Sequence, residues 1–360
     1  MLGLKKYLDP NFNQEISWGN LGLDQFDHHF LNGDSVIYPD KNLDAPKLNG
    51  ALKQFQPDLL IIYGYFQKLQ RRAYLWAKSN KVKLAYISDS ELRHHRNWLK
   101  EKLKYFFIRK FFSGINYFLS VGDANEEFYL HYGVGQDRII RMHFPIDVMQ
   151  FEARFLEKDK LRKQLRKQYE IGENEVVLSV VGKLVPWKNQ DHIVDALKLL
   201  EDEGLFMHLI ILGSGKLKEV WEKKSMTLRK SKVHFAGFVG VEELPAYYAT
   251  TDIYVHPASV EPHSIAISEA IYMGCPVIIS NRCGSFGVSD DVQDCKNGYI
   301  FEFGNIQQLA EKIRVLIKNE NTRKEFGEYS HKIAMQFQNN AHYEISRKIM
   351  ARISKDSTSN

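Results

Sequence analysis

No apolar run in the chain approaches the roughly 20 residues that a membrane-spanning helix needs, so no integral membrane segment is expected. Cysteine is scarce: 360 residues hold only Cys275, Cys283 and Cys295. An odd number with no close CxxC pair argues against both a disulfide framework and a zinc site, and structural thiols are the better reading. The opening stretch MLGLKKYLDPNFNQEISWGN has neither a continuous apolar core nor a small-residue cleavage site. A secretory leader is therefore not expected, and the sequence reads as cytoplasmic. A further absence is local. The first 35 residues contain no apolar β-run, although a doubly wound ligand-binding domain ordinarily opens with a strand and a glycine-bearing turn. An atypical opening loop and a first strand lost upstream of Met1 are both open readings.

What is present suits a soluble globular protein: 44% hydrophobic and 26% charged residues, in a chain longer than the roughly 100–200 residues of one domain. Two domains are expected, each able to bury a core. The net charge of +5 is concentrated in ELRHHRNWLKEKLKYFFIRK, residues 91–110, where seven Lys/Arg face two Glu. His94 and His95 add to it, and Trp98, Tyr105, Phe106 and Phe107 are interleaved. Such a mixture suits a surface that lies on anionic lipid or grips a phosphorylated acceptor; it equally suits a solvated helix face over core aromatics. No nucleic-acid-binding module accompanies it, so no nucleic-acid partner is expected.

In the second half, short β-rich runs alternate with amphipathic stretches of helical length, the mark of a parallel sheet with helical crossovers. Strands are expected at 176–183, 207–213, 233–238, 252–258, 276–280 and 298–301, and helices at about 188–202, 216–230, 242–250, 264–273, 306–319 and 322–336. Near-continuous apolar strands predict a sheet covered on both faces. The first half repeats the pattern more loosely, with strands at 36–39, 58–65, 82–89, 117–122 and 138–144. The charged, helix-prone stretch 151–175 separates the two patterns. The expected layout is a first domain over 1–150, a linker leading into the second domain over 151–175, that domain over 176–336, and a helix and tail over 337–360.

In an open parallel sheet, ligands bind beyond the carboxyl ends of the strands. The strand DIYVHPA runs into VEPHSIAISEA, residues 260–270, where Glu261 and Glu269 stand eight positions apart. On one helix they would lie roughly 80° and about 12 Å apart. Pro262 argues instead for Glu261 in the loop and Glu269 on the second turn of a helix starting near Ser264, each reaching one end of a ligand. Between them, the amides of Ser264, Ile265 and Ala266 offer a helix start suited to phosphate. Gly182 and Lys183 end the first strand of this half, and Lys188 opens the next helix after Pro186. Both lysines are point charges able to neutralise a diphosphate. Each signal alone has an ordinary reading as a solvated lysine or a surface glutamate; their order within one domain favours a site. No paired-Asp motif ends a strand and the histidines are scattered, so no metal or other cofactor is expected and activity should persist in EDTA.

These stretches, GK..PWKN, then HFAGFV....L..YY...DIYVHP, then EPHSIAISEA..MGCPVI, resemble the retaining, nucleotide-sugar-dependent glycosyltransferase superfamily, the group 1 glycosyl transferases of bacterial cell-surface glycan synthesis. The likeness covers about residues 175–320, and DPNFNQEISWGNLGLDQF is similar to the N-terminal loop of one branch. It implies an α/β fold of GT-B architecture, two Rossmann-like doubly wound domains facing across a cleft. By the same resemblance Glu261 would hold donor-sugar hydroxyls and Glu269 the ribose hydroxyls. Lys183 and Lys188 would neutralise the diphosphate, and backbone around Phe238 and Val239 would line the base. The family usually reads E-P-F-G, where this chain has His263 and Ser264; the serine should keep its N–H for the ligand while its side chain crowds the sugar pocket. Asp290 and Asp291 stand near where the family often has a glutamate. Many relatives carry a histidine after the strand equivalent to VKLAYISD. This chain has Ser88 and Asp89 there, so Asp89 is a candidate that reads equally well as a helix cap. His28 and His29 read as a surface pair.

The function so implied is sugar transfer from a nucleoside-diphosphate donor to an acceptor hydroxyl, with retention, in lipopolysaccharide, capsule or exopolysaccharide synthesis. The expected partners are the donor and a glycan or lipid-linked acceptor. Contact with an anionic membrane at the inner face is a further expectation from residues 91–110. The alternatives are a catalytically weak nucleotide-sugar-binding partner subunit and a GT-B sugar-nucleotide epimerase.

Overall fold

A computed structural model describes residues 2–3, 6–9, 14–17, 27–31, 40–93, 98–338, 344 and 346–351. It divides into two compact units, a smaller one of Met1–Ser88, Arg96–Leu119 and Tyr129–Ile140, and a larger one of Asp89–His95, Ser120–Phe128 and Arg141–Asn360. The expected strand at 36–39, together with His94 and His95, lies outside the described residues.

In the smaller unit, Leu2–Gly3 (β1) pairs parallel with His29–Phe30 (β4), and Lys6–Asp9 (β2) pairs antiparallel with Gln14–Ser17 (β3). Polar runs such as QEIS form these short strands through backbone pairing that an apolar pattern does not signal. The main sheet has four strands in the order Leu59–Tyr63 (β5), Lys83–Ile87 (β6), Tyr117–Ser120 (β7) and Ile139–Arg141 (β8), with helices Leu48–Phe55 (α1), Lys68–Ser79 (α2) and Trp98–Ser113 (α3); of Asp123–His131 (α4), only the end from Tyr129 belongs to this unit. Its core is aromatic. The Phe112 and Phe118 rings lie 4.9 Å apart, Tyr86 and Phe112 5.1 Å, and Phe118 and Tyr129 5.1 Å. Such tilted and edge-on pairs each add about 0.5–1.5 kcal/mol beyond their buried area.

The larger unit is built on six parallel strands: Val177–Val181 (β9), His208–Leu212 (β10), Lys232–Gly237 (β11), Ile253–His256 (β12), Val277–Ser280 (β13) and Gly298–Phe301 (β14). All six expected strands are present. Alternate residues point to opposite faces. Val177, Ile210, Leu212, Tyr254, Val277 and Ile279 join one core, with Val148–Leu156 (α5), Lys158–Gln168 (α6), Leu244–Thr250 (α9), Ile265–Tyr272 (α10) and Glu320–Gln338 (α12). Leu178, Val180, Leu209, Ile211, Ile253, Val255 and Ile278 join the other, with Asp191–Asp202 (α7), Lys218–Ser225 (α8) and Ile306–Lys318 (α11). Two covered faces explain why these strands read as unbroken apolar runs. Residues 151–175, expected as a linker, are largely helix: Phe151 of α5 and Leu165 of α6 are buried in the first core.

Candidate functional site

The order of the larger sheet, β11-β10-β9-β12-β13-β14, reverses direction between β9 and β12. That switch point is where the loops leaving the two strands diverge and open a crevice at their carboxyl ends. Gly182 to Lys188 leave β9 there, and Ser259 to Ser264 leave β12. The loops after β10 and β11 open at the same edge, so Phe238 and Val239 lie three strand spacings from the Glu261 loop, roughly 14 Å. A ligand of nucleotide size can bridge that distance. The backbones meet closely here. A side chain on Gly213 would fall 2.0 Å from the Gly182 carbonyl oxygen, and one on Gly284 would fall 1.8 Å from that of Pro262. Both glycines are forced by backbone approach.

Glu261 is the hub. Its Oε2 is ion-paired with Lys188 Nζ and accepts from His256 Nε2 at 2.9 Å. The Lys188 stem packs over Gly182, Cδ and Cε lying 3.8 Å from where a Cβ would be. Gly182 holds φ +155°, which L side chains rarely adopt. Burial pushes the Glu261 carboxyl up, but the His256 hydrogen bond and the Lys188 charge outweigh it and bring it down to about 2. Burial pulls the His256 pKa down against the pull of Glu261, so the ring is neutral at pH 7. Donating from Nε2 leaves its Nδ1 to accept from Tyr254 Oη, 3.4 Å away. The Gly284 amide donates to the Glu261 carbonyl at 2.8 Å, which fixes the loop's backbone as well.

Glu269 sits in a different setting. It lies on the second turn of α10, buried, with Tyr248 Oη of α9 donating to its Oε2 at 2.8 Å. Burial raises its pKa to about 7, the tyrosine hydrogen bond opposing only in part. At the start of the same helix, Ile265 is exposed and Ala266 half-buried. Their amides are first-turn donors with no intrahelical acceptor. Ser264 departs from expectation: its amide donates to Ser285 Oγ at 2.9 Å and the residue is buried, so the N–H expected for the ligand is already engaged.

His263 is buried as well. Its Nε2 faces Asp290 Oδ1 at 3.3 Å and Asp291 Oδ2 at 3.8 Å, and its ring meets Phe144 edge-on at 5.3 Å. Burial lowers its pKa, but the Asp290 hydrogen bond and the two carboxylate charges win, and the ring is held toward the imidazolium. Burial lifts Asp291 to about 6, while Asp290 stays ionised through His263 and the amides of Asp291 and Asp123. The ligand atoms of these three residues lie within 4.8 Å of one another, the spacing a metal ion would need. Asp290 already accepts two amides and Asp291 accepts Ser268 Oγ at 2.6 Å, while the buried Nδ1 of His263 has no partner among the described residues. Donors on both carboxylates fit an ion-paired histidine better than a cation site.

The structure therefore gathers Gly182, Lys183, Lys188, Phe238, Val239, Glu261, His263, Ser264, Ile265, Ala266 and Glu269 on one edge of one sheet. Asp89 belongs to the same unit. Burial raises its pKa, with the His263 charge opposing and the Glu261 charge adding to the rise. Four contributors escaped the sequence reading. His256 had a signal, since it alternates with Tyr254 on a strand and so shares its face. Tyr248, Ser285 and Arg93 had none, because their partners are distant in sequence. Arg93 donates to the Cys283 carbonyl at 2.7 Å and stacks over the Phe286 ring at 3.9 Å. Arg93 is thereby removed from the open basic run to which it was assigned.

Residues 162–333 match the family model of the glycosyl transferases group 1. The chain is 31% identical over 172 residues to a GDP-mannose-dependent alpha-(1-6)-phosphatidylinositol monomannoside mannosyltransferase of Mycobacterium tuberculosis, covering 46% of this chain and 44% of that protein. It is 25% identical over 179 residues to the capsular polysaccharide biosynthesis glycosyltransferase CapM of Staphylococcus aureus, 50% of this chain and 46% of that one. The matches thus span about half the length of these curated relatives. Among solved structures, a glycosyltransferase from Rickettsia africae superposes with a TM-score of 0.71 at 17% identity, over 94% of this chain and 89% of that one. Anabaena HepE in complex with UDP does so with a TM-score of 0.66 at 18% identity, over 85% and 82%. Residues 162–333, which carry the six-stranded unit and its switch-point site, are thus similar to the glycosyl transferases group 1, and the fold is GT-B.

Proposed function

We propose that the protein transfers a sugar from a nucleoside-diphosphate donor to an acceptor hydroxyl, with retention, in the synthesis of a cell-surface glycan. One observation carries the reading: an ionised Glu261, held between Lys188 and neutral His256, at the switch point of a sheet whose domain matches this family. A carboxylate there can accept two sugar hydroxyls, and the lysine beside it can move its charge to a diphosphate once that group arrives. The names of the relatives, a phosphatidylinositol mannoside mannosyltransferase and a capsule glycosyltransferase among them, support a surface-glycan acceptor.

In the proposed step the bond from the sugar's C1 to the diphosphate oxygen breaks, and the bond from C1 to the acceptor oxygen forms on the same face. The acceptor's proton passes to the departing diphosphate. The enzyme's work is then to stabilise the leaving group. Lys183, Lys188 and the amides of Ile265 and Ala266 supply positive charge and hydrogen bonds for it, and Glu269 takes the ribose hydroxyls. Such a site needs no metal, so turnover in EDTA is part of the proposal. Nucleotide sugars place this chemistry in the cytoplasm, and a lipid-linked acceptor would bring it to the inner face of the membrane. Among the described residues no helix is long and apolar enough to cross one.

The test is incubation of the purified chain with a panel of nucleotide sugars, with and without extracts of lipid-linked and glycan acceptors, reading nucleoside diphosphate release. Release that depends on acceptor and survives EDTA is the expected result. Binding without release would favour a partner subunit, and interconversion of the donor sugar an epimerase. A strict manganese requirement would overturn the metal-free mechanism.

A further inference from the structure

Helix α3 of the smaller unit has a solvent face that does not resemble those of the other helices. Its inner face is ordinary, with Ile108, Phe111 and Phe112 buried. Its outer face carries Trp98 at 63% exposure, Leu103 at 76%, Phe106 at 70% and Phe107 at 56%. Lys102, Arg109 and Lys110 stand exposed between them. The helix's one carboxylate, Glu101, is half-buried. Apolar surface continues beyond the helix, for the Tyr65 ring lies 6.4 Å from that of Phe107, and Phe66 beside it is 62% exposed. By contrast the exposed positions of α11 are Gln307, Glu311 and Lys318 around a single apolar side chain, Val315. Single exposed apolar residues are normal; four large ones along one face of about 24 Å are not.

Charge says what kind of partner this face fits. Cations unbalanced by carboxylates are poorly suited to a second copy of the same face, which would bring like charges together. They suit a surface that is itself negative and accepts aromatic side chains at its boundary. Trp98 and Lys102 already adopt the matching arrangement, with the ammonium 5.0 Å from the ring centroid. We infer that α3 is a membrane-docking helix, lying flat on an anionic lipid surface with Trp98, Leu103, Phe106 and Phe107 in the interfacial layer and Lys102, Arg109 and Lys110 among the headgroups. This inference does not rest on the transfer reading, because it concerns a different unit and is read without any sugar nucleotide.

The experiment is flotation of the full chain with vesicles of phosphatidylcholine alone or with one third phosphatidylglycerol. The chain should float with the anionic vesicles, be released as salt screens the charges, and show a blue shift of tryptophan emission that Trp98→Phe removes. Lys102→Glu with Lys110→Glu should weaken binding at least about tenfold, on the order of what two lost lipid contacts give. Phe106→Ser with Phe107→Ser should weaken it on the order of tenfold while keeping the salt dependence. All four positions are exposed, so melting temperatures should stay within about 2 °C of the parent. Equal binding to neutral vesicles, no binding to either, or unchanged binding by both double variants would overturn the inference. So would a self-association that both variants abolish in the absence of lipid.

Discussion

Glu261 and Glu269 lie eight residues apart in one motif, and their surroundings drive them in opposite directions. Glu261 occupies a loop where a lysine and a histidine converge on its carboxylate, and it ionises at about 2. Glu269 lies inside a helix packed on α9, where a tyrosine hydroxyl donates to it but no cation pairs with it among the described residues, and its pKa rises to about 7. Two identical side chains thus become a permanent anion and a carboxyl poised near neutrality. The lesson is that the motif fixes where the carboxyls stand, while their partners fix what each can do.

The largest effect should come from removing the cation that separates the two. Lys188→Ala takes away both the counter-ion of Glu261 and a charge for the leaving diphosphate, and turnover in the release assay should fall on the order of a hundredfold or more. Its melting temperature should shift far less. Full activity in this variant would break the assignment of the site.

Next comes the pH dependence of stability. The folded-state pKa of Glu269 is raised above the ordinary 4.5, so the native chain binds this proton more tightly than the unfolded one. Stability from it is complete below pH 4.5 and is lost as pH rises through about 7, by up to about 3 kcal/mol. Glu269→Gln should flatten that slope in denaturant titrations across pH 4.5–7. Glu261 has the opposite sign. Its lowered pKa contributes stability above pH 4.5 that is lost as pH falls toward about 2, again by up to about 3 kcal/mol. Glu261→Gln should therefore remove part of the acid-side loss and leave the neutral range alone. If both variants changed the same limb, the contrast between the two environments would be wrong. The smallest effect belongs to Tyr248→Phe, which deletes one hydrogen bond to Glu269 and should cost about 1 kcal/mol, measured by chemical denaturation at pH 8.

The two halves of the chain differ in how openly they could be read. In the larger unit the inner strands are covered on both faces, because HLIIL or VIIS packs against helices on each side, and the periodicity announces it. In the smaller unit the short strands near the start are polar, and nothing in QEIS separates a paired strand from a loop. The candidate site was legible where function needs a residue type at a fixed place along the chain: the glycine and lysines around β9, the two glutamates and the start of α10. It was illegible where one side chain completes another from far away in sequence. The pairs Tyr248 with Glu269, Ser285 with Ser264 and Arg93 with Cys283 join residues 21, 21 and 190 positions apart.

Sequence alone determined the alternating architecture, the loop-then-helix placement of Glu261 and Glu269, and the cationic aromatic character of residues 98–110, since each is a local pattern of spacing and residue type. Only the tertiary structure decided that Lys188 and Glu261 form one ion pair, that the Ser264 amide is already taken, and that Trp98, Leu103, Phe106 and Phe107 face solvent while Ile108, Phe111 and Phe112 do not. Burial and partner geometry set a carboxyl's ionisation and an amide's availability, and these arise only when segments distant in the chain are brought into contact.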